Sequence, residues 1–293
     1  MESGYLRSTM KRPVIIGLGE IVWDCQDEAK TLGGAPVNFA YHAQQLGADS
    51  YPISAVGKDT LGKETLEACR SFGLRTEFLQ QNDFPTSRVL VSLAEDGVPT
   101  YRILENVAWD SLQATPELFE LASRADAVCW GSLAQRSEAS RSSILSILDH
   151  VPVRAMRVFD INLRQKYYSK SVIEYSLERA NVLKLNEDEL PIVMELLSLD
   201  GIHDIISRYS LDYLIYTCGA KDSEVYGPCG LLSHLDTPSV KVVDTVGAGD
   251  SFTAAFIASI LRGESVAAAH AKAVKVSAMV CESRGAIVPL KLD

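Results

Sequence analysis

Short apolar runs alternate with helical stretches along most of this 293-residue chain, and that alternation restricts its fold most. Strands separated by helices pair in parallel, and a parallel sheet needs helices on both faces. The predicted strands are Val14–Gly19, Ser50–Val56, Ala127–Trp130, Val158–Asp160, Val182–Leu185 and Leu214–Thr217. Helices are predicted over Asn38–Leu46 and Glu64–Phe72, stopped by Gly47 and Gly73. Further helices are predicted over Ser140–Leu148, Ser171–Arg179 and Glu187–Leu197. Two long Ala-rich helices, Ser251–Leu261 and Ser265–Cys281, close the pattern. The expected fold is α/β, a three-layer αβα sandwich around a mostly parallel sheet.

One region breaks the rhythm. Val89–Leu93 and Thr100–Leu104 flank Glu95-Asp96-Gly97, a hairpin signal because Asp-Gly reaches positive φ at low cost. Glu20 to Leu32 reads as a third extended stretch. Residues of about 20–33 and 87–105 are therefore expected to form a small antiparallel β lid on the α/β core. There is no repeat, low-complexity segment or Pro/Gly-rich linker, so residues 10–293 are expected to form one domain. Residues 1–9 are expected to be a disordered tail, with Met10 as a possible native start.

Charge narrows the partners. Lys and Arg total 28 and Asp and Glu 38, a net charge of −10. Without a basic block, nucleic acid and anionic membrane are poor partners. No run of about 18 apolar residues or signal-peptide core is present. The cysteines (Cys25, Cys69, Cys129, Cys218, Cys229, Cys281) form no CxxC pair and read as reduced core residues of a cytoplasmic protein. The histidines show no ligand spacing, so no zinc site is expected.

The strongest chemical signal is Asp244-Thr245-Val246-Gly247-Ala248-Gly249-Asp250-Ser251-Phe252. Small residues open a helix there, and a helix N-terminus with unshielded amides suits an anion. Asp250 fits a base that takes a proton from an attacking hydroxyl. It fits a helix cap equally well. Asn186 and Glu189 stand at i, i+3, which would share a helix face; an N-cap with its capping-box acid also accounts for the pair. Gly57-Lys58-Asp59-Thr60-Leu61-Gly62-Lys63-Glu64 nearly spells a P-loop, but Glu64 stands where a Ser or Thr would hold Mg²⁺. Gly17-Leu18-Gly19 lacks the third glycine of a dinucleotide site.

The Asp244–Phe252 stretch, with Leu32-Gly33-Gly34-Ala35-Pro36-Val37-Asn38, resembles the two signatures of the ribokinase/PfkB carbohydrate kinases. The likeness runs from about Val14 to Val288 and implies a ribokinase-like fold. It implies that Asp250 is the catalytic base and that Gly247, Ala248 and Gly249 form an anion hole for the transferred phosphoryl. Asn186 and Glu189 match an Mg²⁺-phosphate motif. Thr217, Gly219 and Ala220 match the nucleotide-binding turn, and Gly285 lies in the segment near adenine. Asp244 and the Val246 carbonyl match half of a K⁺ site. Asp222 departs from the pattern, standing where the family usually has Gly; the turn is expected to survive it.

For the acceptor, Gly19-Glu20-Ile21-Val22-Trp23-Asp24 resembles a sugar-kinase stretch whose Asp binds two hydroxyls. Gly34 and Asn38 are the next candidates. Asp160-Ile161-Asn162-Leu163-Arg164 resembles a fructokinase stretch, with Asn162 and Arg164 facing substrate or phosphate. Glu105, Asn106 and Trp109 follow the hairpin and are placed near the sugar pocket, and Trp23 and Trp109 would be the rings for a nucleoside. The resemblance implies a kinase using ATP and Mg²⁺, acting on fructose at C6. Kinases for ribose, 2-keto-3-deoxygluconate or nucleosides share the frame. A non-catalytic sugar- or nucleotide-binding protein and a dinucleotide-dependent oxidoreductase are the competing classes. Exposed lid edges are expected to pair in a homodimer.

Overall fold

A computed structural model of the chain describes residues 11–26, 29–93 and 99–291. The expected tail, the Asp-Gly hairpin turn and both ends of the chain lie outside the described residues. The first strand, β1 (Val14–Leu18), is buried throughout. The lid strands β2 (Val22–Gln26) and β3 (Ala29–Gly33) follow, then α1 (Ala35–Gln45), β4 (Asp49–Gly57), α2 (Thr60–Ser71) and β5 (Leu79–Asn82). The other two lid strands are β6 (Arg88–Leu93) and β7 (Pro99–Ile103). Helix α3 (Pro116–Ser123) leads to β8 (Ala127–Trp130), α4 (Glu138–Leu148), β9 (Met156–Asp160) and α5 (Lys170–Leu177). Next come β10 (Val182–Asn186), α6 (Glu189–Leu197), α7 (Ile202–Tyr209) and β11 (Tyr213–Thr217). The hairpin β12 (Asp222–Gly227) and β13 (Gly230–Asp236) precedes α8 (Ala248–Leu261) and α9 (Val266–Cys281).

The main sheet has nine strands in the order β13-β12-β11-β10-β9-β8-β1-β4-β5. All pairs are parallel except β11–β12 and β12–β13. The strand order reverses direction at β1, which lies between β8 and β4. In open α/β sheets such a switch point, at the carboxyl ends of the strands, is where ligands bind. Helices α1, α8 and α9 pack together over one face, where Phe39, Ala43, Phe252 and Phe256 meet strand residues such as Ile15 and Val158. The opposite face buries Trp130, Phe159, Ile144 and Leu177 beneath α3 to α7.

The lid is a separate four-stranded sheet, β3-β2-β6-β7. Its two hairpin pairs are antiparallel, and a parallel β2–β6 pairing joins them. The stretch read as one extended piece from Glu20 is thus two strands. Helices α1, α2 and α8 begin three or more residues before their hydrophobic pattern. Pro36 fits the first turn of α1, where its missing N–H is not needed. Asp59 caps α2 by accepting from the Gly62 amide at 2.7 Å. Helix α8 starts at Ala248, because Gly247 (φ +80) turns the chain directly into it.

Candidate active site

The loop before α8 has a shape that only glycine allows. A Cβ on Gly247 would lie 2.5 Å from Ala286 Cβ, and its φ of +80 is left-handed. A Cβ on Gly249 would meet Lys184 Nζ at 2.9 Å. The Ser251 amide donates back to the Gly247 carbonyl at 2.9 Å and the Ala248 amide to the Thr245 carbonyl at 3.2 Å, so of the expected anion-hole amides Ala248 is already bonded, while those of Gly249 and Asp250 have no backbone acceptor among the described residues. Asp250 is the third residue of α8. Its Oδ2 accepts from Asn38 Nδ2 at 2.8 Å, joining two segments 212 residues apart. Burial and then the charge of Asp160 push the Asp250 carboxyl up to about 6, against the Asn38 bond and the cations Lys184 and Arg164. Asp250 does not cap α8: Gly247 is the cap residue, and the Asp250 carboxyl bonds Asn38 of α1 instead.

Beneath this loop lies a pair that the sequence reading passed over. Lys184 of β10 donates to Asp160 Oδ1 at 3.1 Å, with both side chains at most 9% exposed. The Thr253 hydroxyl holds the other Asp160 oxygen at 3.1 Å. Burial disfavours the Lys184 ammonium, but Asp160, Glu189 and Asp250 outweigh it and raise its pKa. A fixed cation therefore sits against Gly249, under the site an anion would occupy. The signal was a charge inside the apolar run Val182-Leu183-Lys184-Leu185.

Asn186 and Glu189 do not share a helix face. Asn186 ends β10 and Glu189 opens α6. They bond reciprocally: Asn186 Oδ1 accepts from the Glu189 amide at 3.0 Å, and Glu189 Oε2 accepts from the Asn186 amide at 2.9 Å. This is the capping alternative. Glu189 Oε1 also takes the Leu163 amide at 2.8 Å, tying the Asp160–Arg164 stretch to the same corner.

On the nucleotide side, Thr217 ends β11, and Gly219 (φ +55) and Ala220 form the turn into β12. The Thr217 carbonyl accepts from the Glu187 amide at 3.0 Å, and Lys221 pairs with Glu187 at 2.6 Å. Asp222 begins β12 in extended conformation, and its carbonyl accepts from the Cys218 amide at 2.9 Å. The turn survives because Gly219, not Asp222, takes the left-handed position. Asp244 accepts from the Val246 amide (3.0 Å) and the Gly285 amide (2.9 Å), uniting the three residues. A Cβ on Gly285 would sit 3.1 Å from Thr31 of the lid.

On the acceptor side, Asp24 lies in β2. Burial raises its carboxyl, Arg164 opposes that, and Asp244 adds to it. Gly34 (φ +115) precedes α1, and a Cβ there would strike the Glu20 carbonyl at 2.5 Å. Asn162 (φ +43) and the exposed Arg164 follow β9, and the charge of Arg164 reaches Asp24 and Asp250. The tryptophans are elsewhere. Trp23 is buried and donates Nε1 to Thr65 Oγ1 at 2.8 Å, and Trp109 is fully buried under Arg136. Neither ring is open for stacking. Glu105 and Asn106 line a separate cavity of about 590 Å³ with Arg136 and Lys166, not the cleft at Asp250. Among the described residues no group of three or more His, Cys, Asp or Glu could hold a metal, and no helix is long and apolar enough to cross a membrane.

Asp160, Asn186 and Thr217 all stand at the carboxyl ends of their strands, and Asp24 and Asn38 come from the lid and α1 behind β1. The arrangement offers a carboxylate base, open amides with a cation behind them, and a roof of strands. Known proteins resemble the chain over most of its length. A family model described as pfkB family carbohydrate kinase matches residues 9–292. Fructokinase of Salmonella typhimurium is 30% identical over 257 residues, 83% of this chain and 83% of that protein. The ATP-dependent 6-phosphofructokinase of Thermoanaerobacterium thermosaccharolyticum is 25% identical over 277 residues, covering 92% and 84%. An uncharacterized sugar kinase of Pyrococcus horikoshii superposes with a TM-score of 0.81 at 24% identity, over 94% of this chain and 93% of that one. Xylella fastidiosa fructokinase with bound ATP gives 0.81 at 21% identity, over 94% of each. At those identities the two structures speak for the fold alone.

Proposed function

The chain belongs to the pfkB family of carbohydrate kinases, and from that premise we propose that it transfers the γ-phosphoryl of MgATP to a primary hydroxyl of a small sugar, fructose at C6. The observation that carries the reading is Asp250: a carboxyl pushed up to about 6, held by Asn38 at the mouth of α8 beside open amides. A base with a pKa near the working pH both ionises and accepts a proton well. The fructokinase relative of Salmonella typhimurium supports fructose as the acceptor.

In this mechanism Asp24, Gly34 and Asn38 hold the sugar, with Asn162 and Arg164 closing on it from the β9 loop. Asp250 takes the proton of the acceptor hydroxyl as the new O–P bond forms and the bond to ADP breaks. Gly247, Ala248 and Gly249 cradle the phosphoryl oxygens, to which the Gly249 amide is open, and Lys184 supplies fixed positive charge behind them. Asn186 and Glu189 face the Mg²⁺-phosphate side, and Thr217, Gly219, Ala220 and Gly285 flank the nucleotide. Asp244 and the Val246 carbonyl are the candidate holders of K⁺. A homodimer through the lid edges and a cytoplasmic location belong to the same reading.

The test is ADP release from MgATP across a panel of sugars and nucleosides, in K⁺ and in Na⁺. Turnover on fructose alone supports the proposal; turnover on another compound replaces the acceptor. Asp250→Asn is expected to lower kcat by about 10²–10⁴-fold, the usual cost of a lost general base, with little change in sugar binding. Unchanged turnover in that variant would remove Asp250 from the role.

A further inference from the structure

The cleft holds a second buried carboxyl that the proposed reaction does not use. Glu20 follows β1 and is 3% exposed. Its carboxyl takes the amides of Glu20 itself and of Ala35, the first residue of α1. Its Oε2 has no partner. One turn further along α1, Asn38 is also 3% exposed and donates Nδ2 to Asp250. The other end of that amide, Oδ1, has no donor. Two enclosed oxygens left without donors are costly and call for an explanation.

A proton on Glu20 would give Asn38 Oδ1 a donor and Glu20 Oε2 a partner at once. A neutral carboxyl is a donor, and an amide oxygen is an acceptor. We propose that Glu20 works as a neutral acid whose proton fixes the Asn38 amide, so that Nδ2 stays turned toward Asp250 and keeps that carboxylate ionised and aimed. Glu20 is then a positioning residue, acting through Asn38. The inference rests on Asp250 being the base.

The surroundings agree with this assignment. Two charged groups face Glu20: Asp250 on α8 and Arg164 on the loop after β9. Burial chiefly, and Asp250 after it, push the Glu20 carboxyl up to about 7, against its own amide, Arg164 and the Ala35 amide. Asp250 faces Asp160, Lys184 and Arg164 and reaches only about 6. Carboxyls sharing one field lose their protons in two steps that belong to the pair. Between the steps, the charge rests on Asp250 and the proton on Glu20. That singly charged pair is the active form, and Glu20 keeps its proton through turnover.

The experiment is kcat against pH for the wild type, Glu20→Gln, Glu20→Ala and Asp250→Asn. The wild type should lose activity below about 6, where Asp250 is protonated, and above about 7, where Glu20 ionises. Glu20→Gln donates at every pH, so it should stay within about threefold of the wild-type kcat at the optimum and lack the alkaline limb. Glu20→Ala should lose about tenfold or more across the range with KM for ATP little changed. If the alanine variant does not fold, the glutamine profile decides alone. A Glu20→Gln profile that superimposes on the wild type overturns the proposal, and so does a glutamine variant as slow as the alanine one. Full activity in Asp250→Asn would instead overturn the base itself. An inactive Asp250→Asn with an unaltered Glu20→Gln profile rejects Glu20 alone.

Discussion

His42 is buried as a neutral ring. Its Nε2 lies 2.8 Å from the Ala286 carbonyl and so carries the proton, while Nδ1 is enclosed without a partner. Burial holds its pKa down at about 4, and burial does the same to His270, also about 4, which sits between Ser223 and Ser233. The unfolded chain takes up these protons near 6.5, so the stability they support is complete above that pH and drains away as pH falls toward 4. For His42 the shift is worth about 3 kcal/mol. Acid titration of folding should show His42→Gln unfolding at a lower pH than the wild type; an unchanged midpoint would contradict the neutral ring. Glu20 and Asp250 act with the opposite sign, since their raised values favour the fold as pH drops through 7 and 6. At this scale the sequence was uneven. Asp250, Asn38 and Asp24 were legible because a linear motif surrounds each one. Lys184 and Glu20 were not, because what matters about them is burial against partners from distant segments.

The loop between β4 and α2 imitates a phosphate cradle in its letters and not in its bonds. Asp59 Oδ1 accepts from the Gly62 amide and the Thr86 hydroxyl, each at 2.7 Å, and Oδ2 accepts from the Thr86 amide at 2.8 Å. A Cβ on Gly62 would stand 2.0 Å from the Gly57 carbonyl, so the glycine serves the turn itself. Asp59→Ala is expected to cost about 2 kcal/mol as a lost cap and crosslink, read from denaturant unfolding. KM for ATP should stay put; a rise there would return the loop to the nucleotide site. Strands β8 to β11 and helices α4 to α6 were readable from apolar runs, whereas β5, α3 and α7 were not, being short and partly exposed. The β12–β13 hairpin was not, because β13 carries Ser233, His234 and Asp236 on an exposed edge. The helix starts were misplaced for a related reason. Pro36, Asp59 and Gly247 act through backbone geometry, which hydrophobic periodicity does not register.

Across the whole molecule, the lid is joined to the core where the proposed catalytic groups are. Strand β3 runs through Gly33 and Gly34 straight into α1, which carries Asn38. Sugar bound to Asp24 would therefore draw the roof and the base together and shut out water. ATP hydrolysis without sugar is expected to be a small fraction of sugar-dependent turnover, and comparable rates would contradict closure. The sheet class and the lid were foreseeable from the switch between strand-helix rhythm and hairpin signals. The β2–β6 parallel junction was not, since it pairs residues far apart in sequence. The C-terminal segment has a place in the same assembly: the Gly285 amide donates to Asp244, with room beside Thr31 for no side chain, while Ala286 backs Gly247 and accepts from His42. The chain's final stretch is thus a keystone of the cleft. A local opening of that stretch would undo the pocket while the sheet stays folded, so ATP use should fail on warming before global unfolding begins.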